Sequence, residues 1–549
     1  MPLQKSIVFF AALLLLFASC NGDATKNSQA SSRPNIVFIM SDDHAYQAIS
    51  AYDDRLIQTP NIDRIAAEGM LFTNATVTNS ICAPSRATIL TGKHTHIHGK
   101  IDNISPFDTT NVTFPQILQD AGYQTAMFGK LHFGNNPLGF DEFKILPGQG
   151  DYYNPRFITQ QGDTVIQGYV TDIITDLTLD WLEHRREEEK PFLLMYLHKA
   201  PHRSWLPAQR HYTEFTQREF PVPATLFDDY QRISEAVADS ADAPAYSTAA
   251  KTAEMNILDH MTLGYDNKLP QKVIQDLGLE DMFYATGPLD KMNQEQRAAW
   301  DAVYDPIIEE FQQAYPQMND STLTLWKYQR YLQDYLGTIA GVDENVGRLL
   351  DYLQEEGLDQ NTVVVYTSDQ GFYLGEHGWF DKRFMYNESF KTPLLIKWPN
   401  VIHPGTTQEE MVQNLDFAQT FLEIAGVTAP EDMQGKSLVP LLQGRQEAWD
   451  REAVYYHYYE YPGEHAVKRH YGIATKDYKL IHFYHDVDEW ELYDQRKDPQ
   501  EMHNVYYDPD YAEIRRDMTQ KLQEVREKYQ DSEQMDNYYI QLYQERQRS

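Results

Sequence analysis

Cysteine is nearly absent from this chain, whose 549 residues include only Cys20 and Cys82. Cys20 ends an N-terminal segment in which Lys5 precedes a short apolar run, a pattern typical of an export signal. Cys82 would then have no disulfide partner within the mature chain, which excludes a fold held together by disulfide bonds. An unpaired thiol in an exported protein therefore calls for a special chemical reason.

Long apolar runs are also scarce. The run from Ile7 to Phe17 is shorter than the about 20 residues that cross a membrane as a helix. Leu16 to Cys20 resembles a bacterial lipobox, in which the cysteine is acylated and becomes the first residue. We therefore expect a lipoprotein signal peptide over residues 1–20, a lipid anchor at Cys20 and a flexible polar tether over 21–33. The alternative is simple cleavage into the periplasm, and both interpretations predict an exported bacterial protein, periplasmic or at the cell surface.

Basic residues are few relative to acidic ones. Lys and Arg number 47 against 81 Asp and Glu, which gives a formal net charge of −34. This balance argues against a nucleic-acid partner, which needs a basic footprint. An anionic substrate must instead enter a local positive pocket, and we expect one that accepts a chain end or a short oligosaccharide. Basic residues near the motifs could form this pocket: Arg86, Lys93, Lys100, Lys130, Lys199, Arg203, Lys382, Arg383 and Lys391.

Four apolar runs are typical of strands buried on both faces of a parallel sheet, and each ends in polar residues. The runs cover residues 36–40, 124–128, 192–197 and 363–367. The polar residues that follow them are Asp42, Asp43, Lys130, His132, His198, Lys199, His202, Asp369 and Gln370. Because ligands of open α/β sheets bind beyond the carboxyl ends of the strands, we expect these side chains to form one site.

The remaining pattern predicts two folded parts. Residues 34–445 would form a catalytic α/β domain, with helices near 60–69, from Ser85 onward and over Leu332–Leu353. A weakly periodic helical and loop insertion covers about 204–320, and its function is not legible from the sequence. Residues 446–549 predict a smaller antiparallel sheet with a helix packed on it.

The acidic strand ends predict a cation site. Asp42, Asp43 and Asp369 would repel one another unless a cation lay between them, and Gln370 adds an amide oxygen. A set of oxygen ligands favours Ca²⁺ or Mg²⁺ over Zn²⁺. A helix cap or a turn is the alternative for an isolated Asp-Asp pair, but a second acidic strand end makes it less favoured.

Cys82-Ala83-Pro84-Ser85-Arg86, followed by Leu90-Thr91-Gly92, resembles the signature of the formylglycine-dependent sulfatases, a branch of the alkaline-phosphatase superfamily. The segment Gly122–His132 resembles the second signature of that family, although Phe128 stands where a smaller residue is usual. The resemblance covers nearly the whole chain beyond residue 33. It implies an alkaline-phosphatase-like fold, with a large, mostly parallel sheet between helices.

The resemblance also implies cofactors and residue roles. A formylglycine-generating maturation enzyme would oxidise Cys82 to formylglycine, whose hydrate is the nucleophile. Ca²⁺ would be ligated by Asp42, Asp43, Asp369, Gln370 and the modified Cys82, with Gln370 replacing the asparagine or histidine of many members. Arg86 would hold the hydrated aldehyde. The remaining residues of the catalytic pocket would be Lys130, His132, His202 and Lys382.

Residues 369–386 and 456–462 resemble bacterial N-acetylglucosamine-6-O-sulfatases that act on heparin or mucin-type glycans. The implied substrate is a sulfated glycan oligosaccharide, and the implied reaction is hydrolysis of the 6-O-sulfate of N-acetylglucosamine. Candidates for sugar recognition are Lys199, Asp381, Arg383 and His470, the last in a basic turn after Lys468 and Arg469.

Three alternatives stay open at this point. The enzyme could hydrolyse a sulfate at another sugar position, on galactose, N-acetylgalactosamine or a uronic acid. It could be a phosphate or phosphonate ester hydrolase of the same superfamily, which would normally need extra His and Asp ligands for a second metal. It could also be a non-catalytic glycan binder in which Cys82 stays a thiol.

Overall fold

The computed structural model describes residues 33–232, 246–279 and 287–548. The predicted signal peptide, the anchor residue Cys20 and the tether up to residue 32 lie outside the described residues. Within the described ranges, no helix has the length and apolar character needed to cross a membrane.

A ten-stranded sheet forms the centre of the protein, in the order β13-β2-β12-β9-β1-β8-β4-β5-β6-β7. Its strands are β1 (Asn35–Ser41), β2 (Met70–Phe72), β4 (Gln124–Lys130), β5 (Glu142–Leu146), β6 (Arg156–Thr159), β7 (Gly162–Val165), β8 (Phe192–Leu197), β9 (Thr362–Ser368), β12 (Leu394–Lys397) and β13 (Thr406–Gln408). The five central strands, from β9 to β5, are parallel, whereas β12, β6 and β7 pair antiparallel with their neighbours. The four predicted strands are confirmed and occupy the middle of this sheet.

Both faces of the sheet are covered by helices because the central strands are apolar on both faces. Ile36 and Phe38 of β1 pack into one hydrophobic core, and Val37 and Ile39 pack into the other. The first core includes residues of α2 (Cys82–Thr91), α4 (Phe114–Asp120) and α12 (Phe417–Ile424). The second includes residues of α1 (Pro60–Ala67), α5 (Val170–His184) and α10 (Asp320–Glu355).

Shorter elements complete the large part of the fold. They are the strands β3 (Ala75–Thr76), β10 (Tyr373–Leu374), β11 (Phe380–Asp381) and β14 (Val412–Gln413), and the helices α3 (Thr95–His98), α6 (Thr248–Lys251), α7 (Ile257–His260), α8 (Gln271–Asp276), α9 (Gln294–Ala314), α11 (Asn387–Phe390) and α13 (Val439–Leu442). Helices α6 to α9 lie within residues 204–320, the range of the predicted insertion.

A separate antiparallel sheet follows, in the order β15-β16-β17-β18. Its strands are β15 (Val454–Tyr458), β16 (His470–Ala474), β17 (Tyr478–Phe483) and β18 (Glu489–Asp494), and the helices α14 (Ala512–Lys528) and α15 (Glu533–Arg548) come after them. Met518 and Leu522 of α14 pack on this sheet. The predicted fold class, an α/β architecture with a smaller antiparallel sheet and helix, is therefore confirmed.

One helix start was predicted wrongly. Helix α2 begins at Cys82, not at Ser85, and the Ser85 N–H donates to the carbonyl oxygen of Ile81 at 3.0 Å. The Ser85 N–H is therefore bonded within the helix, whereas a helix that began at Ser85 would leave it without an intrahelical acceptor. Pro84 suits the first turn because it needs no hydrogen-bond donor there.

Candidate active site

The acidic residues come together at the carboxyl ends of β1 and β9. These strands are parallel and pair Ser41 with Ser368, so the residues that follow them lie side by side. Carboxylate oxygens of Asp42, Asp43 and Asp369 lie within 4.8 Å of one another. The Asp43 N–H donates to Asp369 Oδ1 at 3.1 Å. The strand register thus builds the predicted acidic cluster.

Helix α2 brings Cys82 and Arg86 to this cluster. The two residues are four positions apart and therefore lie on one face of the helix. The Cys82 thiol donates to Asp42 Oδ1 at 3.3 Å. Arg86 donates from Nε and Nη2 to Asp369 Oδ2 at 2.9 and 2.8 Å, and from Nη1 to the Lys130 carbonyl oxygen. Both side chains are buried.

Two lysines compensate the remaining carboxylates. Lys130, the last residue of β4, pairs with Asp42, and its Nζ lies 3.9 Å from Cys82 Sγ. Lys382 follows β11 and donates to both carboxylate oxygens of Asp43, at 2.5 and 2.6 Å. Together with Arg86, these lysines place three positive charges against three buried carboxylates. The same three cationic groups could pair with the oxygens of a sulfate ester and stabilise their negative charge.

Both predicted histidines lie near the same cluster. His202 Nε2 is 3.7 Å from Asp43 Oδ2, and Nδ1 donates to the Arg203 carbonyl oxygen at 2.7 Å. His132 follows β4 with a positive φ of 67°, and within the described residues its Nδ1 has no hydrogen-bond partner. Burial, reinforced by Lys130, lowers the pKa of both imidazoles well below the usual value.

Burial and neighbouring charges shift the pKa values of the acids and the thiol in different directions. Burial alone would raise the pKa of Asp42, but Lys130, His202 and Arg86 lower it well below its usual value. Burial and Asp42 raise the pKa of Asp369 to about 7. Burial and Asp42 also raise the pKa of the Cys82 thiol. An unmodified Cys82 is therefore a poor nucleophile, because the thiolate is the reactive form.

The donor set fits a hard divalent cation. Gln370 donates from Nε2 to Asp43 Oδ1 at 2.5 Å, and its Oε1 is buried without a hydrogen-bond partner in the described part of the chain. An unpaired buried oxygen beside three carboxylates is a ligand set that calcium accepts. Asp42, Asp43, Asp369 and Gln370 could therefore hold the cation that the sequence predicts.

Two of the predicted sugar-recognition residues, Asp381 and Arg383, form an ion pair, and a third, Lys199, lies over an aromatic ring. Arg383 Nη1 pairs with Asp381 Oδ2 at 2.7 Å, and Asp381 Oδ1 lies 3.7 Å from Lys382 Nζ, beside the acidic cluster. Lys199 lies over the ring of Tyr152 at 4.7 Å, and burial together with Lys130 lowers its pKa to about 7.

His470 differs from its prediction in its surroundings. It begins strand β16, so it does not lie in a turn, and its side chain is completely buried. Its ring stacks on Tyr456 and Tyr458 at 5.4 and 5.6 Å, and Nδ1 donates to the Lys468 carbonyl oxygen at 2.8 Å. A role in sugar recognition stays a prediction for this residue.

Sequence reasoning missed three residues at the site. Gln149 accepts a hydrogen bond from Lys130 Nζ, Asn414 donates to Ser85 Oγ at 2.8 Å, and the Tyr335 hydroxyl donates to the Asp43 carbonyl oxygen at 2.7 Å. Gln149 follows β5 at the same edge of the sheet as the acids, so a prediction of β5 from the sequence would have placed Gln149 at the site. Lys93, which was expected in the pocket, pairs with Asp432 at 2.5 Å.

Known proteins share this sequence and fold. The sulfatase family model matches residues 34–427, and the model for the C-terminal part of N-sulphoglucosamine sulphohydrolase matches residues 375–528. An N-acetylglucosamine-6-O-sulfatase of Bacteroides thetaiotaomicron is 46% identical over 538 residues, covering 97% of this chain and 93% of the relative. Human N-acetylglucosamine-6-sulfatase is 26% identical over 481 residues, covering 83% of this chain and 72% of the relative.

A solved structure gives a third comparison. It shows a protein in complex with its substrate D-glucosamine-2-N,6-O-disulfate and matches with a TM-score of 0.85 and 47% identity. The match covers 91% of this chain and 99% of the other. The fold and the buried charge cluster define a hydrolase that acts on anionic esters. The chain belongs to the sulfatase family, and its reaction is the hydrolysis of sulfate esters.

Proposed function

We propose that this protein removes the 6-O-sulfate from N-acetylglucosamine in a glycan oligosaccharide. The observation that carries the proposal is the buried cluster in which Lys130, Lys382 and Arg86 surround Cys82 and three carboxylates. The N-acetylglucosamine-6-O-sulfatase that is 46% identical over nearly the whole chain supports the choice of sugar.

Two groups complete the site in this proposal. A formylglycine formed from Cys82 by a maturation enzyme would supply a hydrated aldehyde, with one hydroxyl to attack sulfur and a second whose deprotonation expels sulfate. Ca²⁺ held by Asp42, Asp43, Asp369, Gln370 and residue 82 would neutralise charge on the sulfate oxygens. The unpaired Gln370 Oε1 and the clustered carboxylates support this ligand set.

The remaining chemistry belongs to the side chains of the chain itself. Lys130 and Lys382 are ammonium groups that can shift from Asp42 and Asp43 toward the sulfate oxygens. Asp42, whose pKa is lowered, is the carboxylate available to accept a proton from a hydroxyl at position 82. Lys382 and His202 are the two candidates for protonating the leaving sugar oxygen, a step worth typically 10²–10⁴-fold. His202, whose pKa is lowered, would act as the acid only after the binding of the anionic substrate lets it take up a proton. His132, neutral because of its lowered pKa, is the candidate base for the release of sulfate.

The same proposal includes export. A lipid anchor at Cys20 would hold the enzyme on the periplasmic or outer surface of a bacterial membrane, where sulfated oligosaccharides are accessible. The lipobox-like segment from Leu16 to Cys20 supports this location. Intact-mass measurement of the mature protein would detect the acylated cysteine.

A panel of monosulfated sugars tests the substrate. Formylglycine-bearing enzyme should act best on N-acetylglucosamine-6-sulfate, and less on 6-sulfated galactose, 6-sulfated N-acetylgalactosamine and 2-sulfated uronic acid. The matching 6-phosphate should be a poor substrate. Efficient desulfation of another sugar, with N-acetylglucosamine-6-sulfate ignored, would overturn the assignment.

A second measurement tests the nucleophile. The peptide that contains Cys82 should be lighter than the sequence predicts, by the difference in mass between the thiol side chain and the aldehyde that replaces it. The variant Cys82→Ala should be folded but inactive. An active enzyme whose Cys82 peptide keeps the mass of a thiol would contradict the role of formylglycine. Chelation should abolish activity and added Ca²⁺ should restore it.

A further inference from the structure

Arg203 connects the active site with the insertion over residues 204–320. It directly follows His202, and it donates from Nε to Asp266 Oδ1 at 3.0 Å and from Nη2 to Asp266 Oδ2 at 2.7 Å. Its guanidinium carbon lies 5.4 Å from the ring centre of Tyr265 and 5.2 Å from that of Phe380. A bidentate pair between two ring faces fixes the orientation of the guanidinium.

The segment that carries Asp266 is itself fixed to the long helix α10. Lys327 of this helix donates to the carbonyl oxygens of Leu258 and Met261, at 2.6 and 2.8 Å. At the other end of the segment, Lys268 pairs with Asp334 of the same helix at 2.8 Å. Residues 258–268 are therefore held at both ends.

Asp266 is held from within the segment as well. Its side chain is completely buried, and Oδ2 accepts hydrogen bonds from the N–H and the hydroxyl of Thr262, at 2.9 and 3.0 Å. Rotating this buried carboxylate would break its hydrogen bonds with Thr262 and Arg203 and leave its oxygens unsatisfied, which would lower the stability of the fold. The position of Arg203 is therefore set by the insertion.

Arg203 also faces the acid beside the catalytic lysine. Its Nη1 lies 4.0 Å from Asp381 Oδ2, on which Arg383 Nη1 also converges at 2.7 Å. Burial alone would raise the pKa of Asp381, but Arg383, Lys382 and Arg203 lower it below the usual value. An ionised carboxylate accepts hydrogen bonds only, so it suits the hydroxyl of a sugar.

We propose that residues 258–268 form a substrate-recognition segment, in which Asp266 positions Arg203 so that Arg203 and Arg383 orient Asp381 toward a hydroxyl of the sulfated sugar. Asp266 is then a positioning residue that acts through Arg203. The inference rests on the proposed function, because it assigns the recognised group to the sugar that carries the sulfate. It gives the insertion, whose role the sequence does not indicate, a part in selectivity.

The test compares two sugars that differ only at C4. Because Asp381 lies beside Lys382, the sugar hydroxyl that donates a hydrogen bond to Asp381 should be near the sulfated carbon. The C4 hydroxyl is the nearest hydroxyl on the ring. Asp266→Asn should lower kcat/KM for N-acetylglucosamine-6-sulfate about 10- to 100-fold, mainly through KM. It should lower kcat/KM for N-acetylgalactosamine-6-sulfate much less, so that the preference for one epimer shrinks.

The control is another bidentate Arg-Asp pair. Arg210 donates to both oxygens of Asp172 at 2.8 Å, in a partly exposed position on α5. Asp172→Asn should leave both rates and the preference between the epimers unchanged. Arg203→Lys, which keeps the charge but loses the fork, should behave like Asp266→Asn, and the double variant should be no worse than either single variant.

Several outcomes would overturn the inference. An equal fall in both rates after Asp266→Asn would indicate a merely structural role, and multiplying effects in the double variant would show that Arg203 and Asp266 act independently. A failure of the proposed function looks different, since the wild-type enzyme would then prefer another sulfated sugar. The same variants would in that case be compared on that sugar and its C4 epimer, where an unchanged preference again overturns the role of Asp266.

Discussion

Arg86 joins two strand ends that lie far apart in the sequence. Its guanidinium reaches Asp369, 283 residues away, and the carbonyl oxygen of Lys130, 44 residues away. One planar group with several N–H donors in fixed directions can serve both partners, whereas an ammonium group cannot do so with the same geometry. At the scale of the residue, the shape of a side chain therefore matters as much as its charge.

We expect Arg86→Lys to lower kcat/KM about 100-fold while the protein stays folded. The buried positive charge remains, so the carboxylate of Asp369 is still compensated, but the link to the end of β4 is lost. Steady-state kinetics and the melting temperature check this. The matched control is Arg64→Lys, whose surface pair with Asp351 at 2.7 Å should not affect the rate. Equal rates for Arg86→Lys and the wild type would contradict the prediction.

At the scale of the element, helix α1 begins with a cap that comes from another helix. Asp343 of α10 accepts the N–H groups of Asn61 and Ile62 on Oδ1, at 3.0 and 2.8 Å, and the Asn61 amide on Oδ2 at 2.9 Å. Burial raises the pKa of Asp343 to about 6, despite these hydrogen bonds. The hydrogen bonds of this cap stabilise the start of helix α1, but burying the negative charge of Asp343 costs free energy.

This raised pKa predicts how stability depends on pH. The folded state binds the Asp343 proton more tightly than the unfolded state. Its contribution to folding is therefore fully present below the unfolded pKa of about 3.9 and is lost as pH rises from there through about 6. Asp343→Asn keeps an oxygen for the two N–H groups without the charge. Its melting temperature relative to wild type should therefore be higher at pH 7.5 than at pH 4.5, by the equivalent of about 2 kcal/mol.

The control for this prediction removes the cap altogether. Asp343→Ala removes the titrating carboxyl group together with the acceptor, so at both pH values it should be about 1–2 kcal/mol less stable than Asp343→Asn, because the N–H groups of α1 lose their acceptor. A constant difference in melting temperature between Asp343→Asn and the wild type at the two pH values would show that the carboxyl group does not titrate differently on folding.

The elements also show what the sequence could predict. The central strands were predicted because their residues are apolar on both faces, and the acidic site followed from the rule that parallel strands end at one edge. Helix α15 was not predicted, because its apolar residues, which include the buried Tyr539 and Tyr543, alternate with many charged and amide side chains. Asp266 and Asn414 could not be predicted, since tertiary packing of loops brings them to the site and no period in the sequence marks them.

At the scale of the whole molecule, the C-terminal sheet supports the loop that carries Lys382. The Tyr456 hydroxyl of β15 donates to the carbonyl oxygen of Arg383 at 2.5 Å. Lys479 of β17 donates to the carbonyl oxygen of Met385 at 2.7 Å, and Tyr386 donates to Glu491 of β18 at 2.6 Å. One hydrophobic core contains residues from both sides of the predicted boundary at 445. The loop that carries Lys382 thus packs directly on the second sheet.

We therefore expect residues 34–445 and 446–549 to unfold as one cooperative unit. Separation would expose the shared core and leave the buried ion pair of Lys479 with Glu501 without its neighbours. In a thermal scan, the loss of activity and the loss of the near-ultraviolet signal should share one midpoint. A chain ending at residue 445 should be insoluble or inactive, whereas one that begins at residue 33 should keep the midpoint of the full chain. Two separate transitions, or an active fragment ending at 445, would show that the boundary divides independent domains.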